Sequence, residues 1–543
     1  MKAMTLPITI LKKVLDFKCM HIEKAETATI KMNAYGEEHD QMIINVTARP
    51  FIRMQSLCPV CRQKCVRNGH KKDEESTWRA PNLNGVPVYI KYQPQRILCP
   101  EHGALNEYIP WSDGKSRFTA AFNNEIAWLA CQMSKTGICE LELVNWRTVG
   151  HSIKAAHDRL EPDVSARMHD KVRRICVDET SYKKGYKYIT VVYDMDKDRV
   201  IWIHEDHGYA IFAEFCQQLT PSERDQIEIV AGDGASWIDS CCKEFFPKAT
   251  RCVDFFHVAQ WINKALDEVR ISTAAKAKRE YNQTRNEYIQ AESRARREYE
   301  DACKELSALP HRGRPSARKQ QLTMFIAEYE AAHSEETEQR RKVGRPKKEK
   351  ISLEHEATLK QMDDRLEDFK KAKYALAHNP ENCSERQSEL LQLIENSYPD
   401  LYKAYQMKET LRLILHVKDH ELAAEELAKW ITDAKQSDIK PMQKLAEKIE
   451  TRHKSNILNA VRCQANSSKS EATNTTIKGL IKLARGFHNI ENLIALVYLK
   501  CSDLIVPLCN RPTPSKEYLT SRRKRANELR RLREEQRRKE TAA

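Results

Sequence analysis

The hydrophobic period of this chain changes several times, and the changes divide it. Over residues 1–112 apolar and polar positions alternate. TATIKMNAYG, QMIINVTAR and VPVYIKYQ carry the two-residue period of half-buried strands, which predicts a small β-rich module. Across 113–170 the period becomes helical. Phe122, Ile126, Leu129 and Ala130 recur at three- and four-residue spacing, SKTG reads as a turn, and ICELEL and RTVGHSIKAAHDRL are two more short helical patterns. From Lys171 strands return as RRICVDETS, YKYITVVYD and RVIWIHED, separated by polar turns. Then GYAIFAEFCQQL (helix), IEIVAGD (strand), WIDSCCKEFF (helix), ATRCVDFF (strand) and VAQWINKALDEVR (helix) alternate. Three strands followed by alternating helices and strands predict a mixed α/β sheet over 171–270. Residues 271–445 are helical in pattern and heavily charged, 471–500 form another amphipathic helical stretch within a segment 446–505, and an arginine-rich tail occupies 506–543.

Composition adds three constraints. A chain of 543 residues is too long for one hydrophobic core. With 41% hydrophobic and 31% charged residues it has enough apolar material to fold, which excludes a disordered polyelectrolyte. Lysine plus arginine exceed aspartate plus glutamate by 91 to 77, and the resulting +14 favours polyanionic partners, because clustered cations release counterions from phosphates. No stretch approaches the roughly 20 apolar residues of a membrane span. The N-terminal segment has no long apolar run followed by a cleavage site, so the expected location is the cytoplasm. The 17 cysteines are scattered and odd in number, which points to reduced thiols and one metal site rather than a disulfide framework.

Candidate chemistry sits in a few short motifs. Cys58-Pro-Val-Cys61 and Cys99-Pro-Glu-His102 are two ligand pairs with the spacing of zinc knuckles, able to clasp one structural zinc ion, with a hairpin expected between them at Asn84-Gly85. Cys65 and His70 are spare ligands, and His70 could replace His102. The helix bearing Arg147, Thr148, His151, Ser152 and Lys154 follows a short turn and another helix, a helix-turn-helix order that would enter a DNA major groove; a plain helical linker is the other reading. Asp178 ends the apolar run ICV and Asp233 ends IEIVAG, at carboxyl ends of strands, where an α/β sheet opens its crevice. Carboxylates there need a partner or a hard cation. Glu471, at the start of EATNTTIKGLIKLA, would complete a set able to hold two metal ions, although Ser468 three residues earlier also allows a capping box. Asp254 and His257, three apart after the strand RCV, could support the same crevice, and Asp254 competes with Asp233 as a ligand. Arg312-Gly313-Arg314-Pro315 and Gly344-Arg345-Pro346 could lie in a narrow minor groove, or simply punctuate a charged helical stalk.

In this order the segments resemble a bacterial insertion-sequence transposase of the ISL-three family, within the DDE transposases that carry an RNase H-like catalytic domain. CPVC…RILCPEHG is similar to the zinc-binding segment of that family, and FNNEIAWLACQMSKTGICELELVNWRTVG to its helix-turn-helix. ICVDETSYKKGYKYITVVYDMDKDRV carries the first catalytic aspartate, which falls on Asp178. EIVAGDGASW with ATRCVDFFHVAQWINKALDEVR carries the second, on Asp233, and EATNTTIKGLIKLARGFHNIENL places the glutamate at Glu471. The resemblance implies an RNase H-like domain split by a large helical insertion and preceded by the zinc module and the helix-turn-helix. It also implies two magnesium ions, for which manganese could substitute. The implied activity is cleavage and strand transfer at the terminal inverted repeats of double-stranded DNA, by a homodimer or larger assembly. Two departures stand out. Gly234-Ala235-Ser236 replaces the methionine and serine usual after the second aspartate, and HEDHGY stands where a Gly-Arg step is common.

Overall fold

The computed structural model describes residues 8–14, 19–34, 37–70, 75–114, 116–309, 316–332, 353–464 and 468–515, with isolated residues between 517 and 536. It divides into two compact units, Met1–Phe256 with Arg462–Ala543, and His257–Val461. Among the described residues no helix is long and apolar enough to cross a membrane.

The first unit opens with helix α1 (Ile8–Val14) and seven strands: β1 (Met20–Ala34), β2 (Glu37–Pro50), β3 (Val66–His70), β4 (Ser76–Leu83), β5 (Val86–Tyr92), β6 (Gln95–Cys99) and β7 (Gly103–Asn106). Four of them form a sheet in the order β1-β2-β5-β4, and the other three a smaller sheet, β3-β6-β7. Ile22, Ile44, Val46, Trp78, Val88, Ile90 and Trp111 make the core of the larger sheet. Its β4–β5 hairpin turns at Asn84 (φ 51°) and Gly85 (φ 81°), two consecutive left-handed residues, which is the backbone a two-residue hairpin requires. The periodicity did not predict β4. Its sequence STWRAPNL includes a proline and an arginine, yet Arg79 is buried, with its guanidinium bonded to Asn82 (2.7 Å) and the Glu142 carbonyl (3.0 Å).

Three helices follow, α2 (Ala120–Ala130), α3 (Lys135–Glu142) and α4 (Trp146–Leu160). SKTG is not a turn. The Ser134 hydroxyl caps α3 by accepting the Gly137 amide (3.2 Å), and Lys135, Thr136 and Gly137 form the first helical turn. The sharp change of direction comes later, at Leu143, whose left-handed backbone (φ 54°) ends α3 just before Asn145 caps α4. Phe122, Ile126, Ile138, Val149 and Ile153 are fully buried between the three helices and their surroundings.

A third sheet contains β8 (Arg174–Lys183), β9 (Lys187–Asp194), β10 (Arg199–Glu205), β11 (Ile229–Gly232) and β12 (Thr250–Val253), interleaved with α5 (Tyr209–Gln218), α6 (Pro221–Gln226) and α7 (Ser236–Phe245). Its order is β10-β9-β8-β11-β12. The first three strands form an antiparallel meander, and β11 and β12 run parallel to β8. Ile175, Val177, Val192 and Val230 pack against Phe212, Phe215, Ile238 and Phe245 of α5 and α7. Parallel strands need helical crossovers, so the sheet has to be buried by helices and its strands read as near-continuous apolar runs.

The second unit is helical. Helix α8 (Phe255–Ala308) leads into it, and α9 (Ala317–Ala332), α10 (Leu353–Ala377), α11 (Glu385–Ser397), α12 (Pro399–Ile414), α13 (His420–Gln436), α14 (Lys440–Lys448), a π-helical turn (Ile449–His453) and α15 (Lys454–Arg462) follow. Leu401, Leu411, Leu427, Trp430, Met442 and Leu445 are buried here, and the Trp430 indole donates to the Met407 carbonyl (2.8 Å). Beyond Val269 only Ala302 of α8 is fully buried, but one side of the helix is half-buried against the two helices that follow, with Tyr288 stacked on His355 and Tyr299 on Tyr329. The chain then re-enters the first unit with α16 (Ser468–Leu483), which lies against β8, and α17 (Ile490–Cys501), which packs on α4, α16 and β10.

Candidate active site

The parallel ladder sets the geometry of the strand ends. β11 and β8 pair from Ile229↔Arg174 to Gly232↔Val177, so the next residue on each is an aspartate at one level: Asp233 leaves β11, whereas Asp178, expected at a strand end, lies inside β8, which continues to Lys183 paired with β9 and has Asp178 opposite Val191. On the far side Gly232 pairs with Val253, which puts Asp254 at the equivalent step of β12, where its amide donates to the Gly232 carbonyl (2.8 Å). The ladder closes tightly at this point. A Cβ on Gly232 would stand 2.9 Å from the Val177 carbonyl oxygen and 3.0 Å from Ile238 Cδ1.

Each carboxylate is held differently. Asp178 is half-buried; its Oδ1 accepts the Glu179 amide (2.7 Å) and its Oδ2 accepts the Asn474 side-chain amide from α16. The Asn474 carbonyl in turn accepts the Thr180 hydroxyl (3.2 Å). Asp233 Oδ1 accepts the Ala235 amide (2.9 Å), and the Arg251 guanidinium donates to the Asp233 carbonyl and to Asp239 (2.9 Å), which fixes the loop after β11. Asp254 is buried and accepts the Phe256 amide (2.9 Å), the bond of a turn into α8. Glu179 accepts the Gly208 amide at the start of α5 (3.1 Å) with His207 at 3.9 Å. Burial pushes the Glu179 carboxyl above its ordinary range; His207 pulls it back, and Asp233 and Asp178 push it further up.

Glu471 lies in α16, one turn before Asn474, so its backbone is carried on the helix that docks on β8; its side chain falls outside the described residues. His257 is half-buried and is the first residue of the second unit. Periodicity reading did not single out Asn474, Thr180, Glu179 or Arg251. Two of them had a spacing signal: Thr180 is two residues from Asp178 on one strand face, and Asn474 three residues from Glu471 on one helix face.

The cysteine motifs converge in the small sheet. Cys61 and Cys99 sulfurs are 3.7 Å apart, and His102 Nδ1 lies 3.5 Å from Cys99 Sγ and 3.9 Å from Cys58 Sγ. A tetrahedral ion with sulfur bonds of about 2.3 Å spaces its ligands by roughly 3.8 Å, so the four atoms already match such a shell. The Cys99 thiol is held below the ordinary cysteine range, first by its hydrogen bond with His102. Among the described residues this is the one group of three or more metal-capable atoms within 4.8 Å of one another. Cys65 is half-buried beside it, its thiol donating to the Gln63 carbonyl (3.3 Å); the side chain of His70 is outside the described residues.

On α4 Arg147 and His151 are exposed one turn apart, Thr148 is half-exposed, and Lys154 pairs with Asp158 (3.2 Å) and Glu491 (3.7 Å). Ser152 is buried and faces inward. Arg312, Arg314 and Arg345 fall outside the described residues.

A family model described as transposase, of the DDE type named for ISL-three, matches residues 175–339 and 337–497. Transposases for insertion sequence element IS1557 from two strains of Mycobacterium tuberculosis are each 32% identical over 460 residues, covering 83% of this chain and 88% of theirs. A transposase for insertion sequence element IS1001 from Bordetella parapertussis is 25% identical over 238 residues, 42% of this chain and 56% of its own.

Proposed function

This chain belongs to the ISL-three family of insertion-sequence transposases, and from that premise we propose that it binds the terminal inverted repeats of its own element and catalyses DNA cleavage and strand transfer there. The observation that carries this reading is the level register of Asp178 and Asp233 on neighbouring parallel strands, with the helix of Glu471 bonded to Asp178 through Asn474. The strand order, an antiparallel meander extended by two parallel strands beside its first member, supports assigning the sheet to the RNase H-like class.

Asp178, Asp233 and Glu471 are the proposed catalytic residues and would hold two magnesium ions, or manganese in their place. The donor set suits a hard cation. It is oxygen only, with Asp178 and Asp233 both half-buried, and Glu179 beside them is pushed upward by burial first and by their charge in addition. When bound, such ions activate the attacking oxygen and stabilise the leaving one. The residues of the chain position and neutralise: the Glu179 amide and Asn474 orient Asp178, while Arg251 and the Ala235 amide hold Asp233 in place. In the reaction, water displaces the 3′-oxygen at the end of the element, and the freed 3′-hydroxyl then attacks a phosphodiester of target DNA. Cys58, Cys61, Cys99 and His102 would hold one structural zinc. Arg147, Thr148, His151 and Lys154 would read the repeat from α4 in the major groove. Two ends must be joined, so a homodimer or larger assembly working on DNA in the cytoplasm follows.

The test uses purified full-length protein and labelled DNA carrying the flanking ends of the gene. Nicking at the end that requires magnesium, stops with EDTA and is lost in Asp233→Asn while end binding persists is the expected result. Tight binding without cutting by the wild type, in magnesium or manganese, would instead identify a transposase-derived DNA-binding protein without catalysis.

A further inference from the structure

Asn474 occupies an unusual place. It is buried at 8% exposure on α16, far along the chain from β8, yet its amide donates to Asp178 while its carbonyl accepts the Thr180 hydroxyl. We propose that Asn474 is a positioning residue for metal binding, and that this one side chain fixes both the orientation of the Asp178 carboxylate and the placement of the Glu471 helix against β8. The inference rests on the assignment of Asp178 and Glu471 as metal ligands and deepens it.

Three features argue for the role. First, both ends of the amide are committed. The Asp178 carboxylate can only accept, so the nitrogen is the end turned toward it, which leaves the Asn474 oxygen to accept the hydroxyl of the almost fully buried Thr180 at 3.2 Å. Second, the Asp178 oxygens each receive one donor, the Glu179 amide on Oδ1 and Asn474 on Oδ2, which fixes the plane of the carboxylate. A carboxylate oxygen has lone-pair capacity beyond one hydrogen bond, so orientation leaves it able to ligate. Third, the donor is neutral. A lysine or arginine at this place would cancel the charge that attracts a cation, whereas an amide orients without neutralising. The helix adds its own geometry. Glu471 precedes Asn474 by three residues, a rise of about 4.5 Å on roughly one helical face. The bond that orients the first ligand therefore also sets how far the third stands from it.

Outer partners of this kind typically change metal affinity or activity by about 10–100-fold when removed. The test measures manganese binding to the full-length protein by the loss of the free-ion electron paramagnetic resonance signal, with Asp233→Asn as the blank, beside end cleavage and thermal melting. Asn474→Ala should weaken the Asp233-dependent manganese site about 10–100-fold and raise the magnesium concentration needed for cleavage in parallel, with end binding unchanged. Thr180→Val, which keeps the shape of the side chain and removes only the hydroxyl, should weaken it several-fold while melting higher than Asn474→Ala, and the double variant should be no weaker than Asn474→Ala alone. Wild-type manganese affinity in Asn474→Ala overturns the inference. If Asn474→Ala melts too low to assay, Thr180→Val decides, and an unchanged manganese affinity there also overturns it. A wild-type protein with no Asp233-dependent manganese site would instead bring down the active-site assignment itself.

Discussion

Gly232→Ala isolates the feature that brings the two aspartates level. A methyl carbon there would stand 2.9 Å from the Val177 carbonyl oxygen, below any distance real side chains show, and 3.0 Å from Ile238 Cδ1. The isoleucine can rotate; the carbonyl belongs to the central strand and cannot. Reaching the 3.4 Å of ordinary contact needs about half an ångström of strand separation. β11 is bonded to β8 on one side and β12 on the other, so separation on either side lengthens ladder bonds. Overpacking of this kind costs about 1–3 kcal/mol. At about 2–4 °C per kcal/mol, the melting transition of the unit holding this sheet should fall by roughly 2–12 °C. Asp233 is the next residue, and since misplacement by about 1 Å can cost on the order of 100-fold in rate, half that shift should lower end cleavage about tenfold. The assay pairs calorimetric melting with magnesium-dependent cleavage of a labelled end. Gly479→Ala is the control: on α16 an added Cβ meets nothing within 4 Å, so the helix should gain about 0.5–1 kcal/mol. Gly232→Ala melting and cutting like the wild type would refute the argument from register.

Cys58→Ser combined with Cys61→Ser should remove one zinc per chain in a metal analysis and weaken end binding at least about tenfold, because a small sheet of this size depends on its ion to fold; unchanged zinc content would rule out the site. Glu142 predicts a pH effect. Burial above all, and then Glu125, push its carboxyl up to about 7 against a pull down by Arg79, from an ordinary value of 4.5. A carboxyl raised on folding contributes stability below pH 4.5 that is lost as pH rises through 7. Glu142→Gln should therefore raise the melting temperature at pH 8 and leave it almost unchanged at pH 4, with its side-chain carbonyl still able to accept the Asn82 amide (2.9 Å in the wild type). An equal gain at both pH values would show that titration is not the cause.

Much of this protein was legible in its sequence, for local reasons. Alternation over QMIINVTAR marked β2 because Ile44, Val46 and Ala48 face the core; TATIKMNAYG marked β1 by the same period although Ile30 is exposed and the buried residues of that strand, Met20, Ile22 and Ala25, precede it. Asn84-Gly85 marked the hairpin because both residues tolerate a left-handed backbone. The strands from Lys171 to Val253 and the helices GYAIFAEFCQQL and WIDSCCKEFF followed from runs of one period, whereas the short polar helix α6 gave no such run, and an aspartate closing an apolar run stood out as a carboxylate at the edge of a core. Local signals misled where they conflicted: SKTG looks like a turn because it contains glycine, but the Ser134 cap and burial of Ile138 make it helix, and β4 is hidden by a proline and by Arg79, whose guanidinium bonds the nearby Asn82 and the Glu142 carbonyl far along the chain.

Sequence alone therefore determined the elements that keep one clear period, their order and the aspartates that close apolar runs, since each depends on neighbours a few positions away. It could not determine register, because pairing Gly232 with Val177 is a choice between strands separated by two helices. Nor could it determine that Asn474 meets Asp178 across the helical unit, or that His102 Nδ1 comes within 4 Å of two cysteine sulfurs. Those contacts exist only once packing has closed the chain on itself, since hydrogen-bond and ligand distances are set by the whole core and not by the segments that supply the atoms.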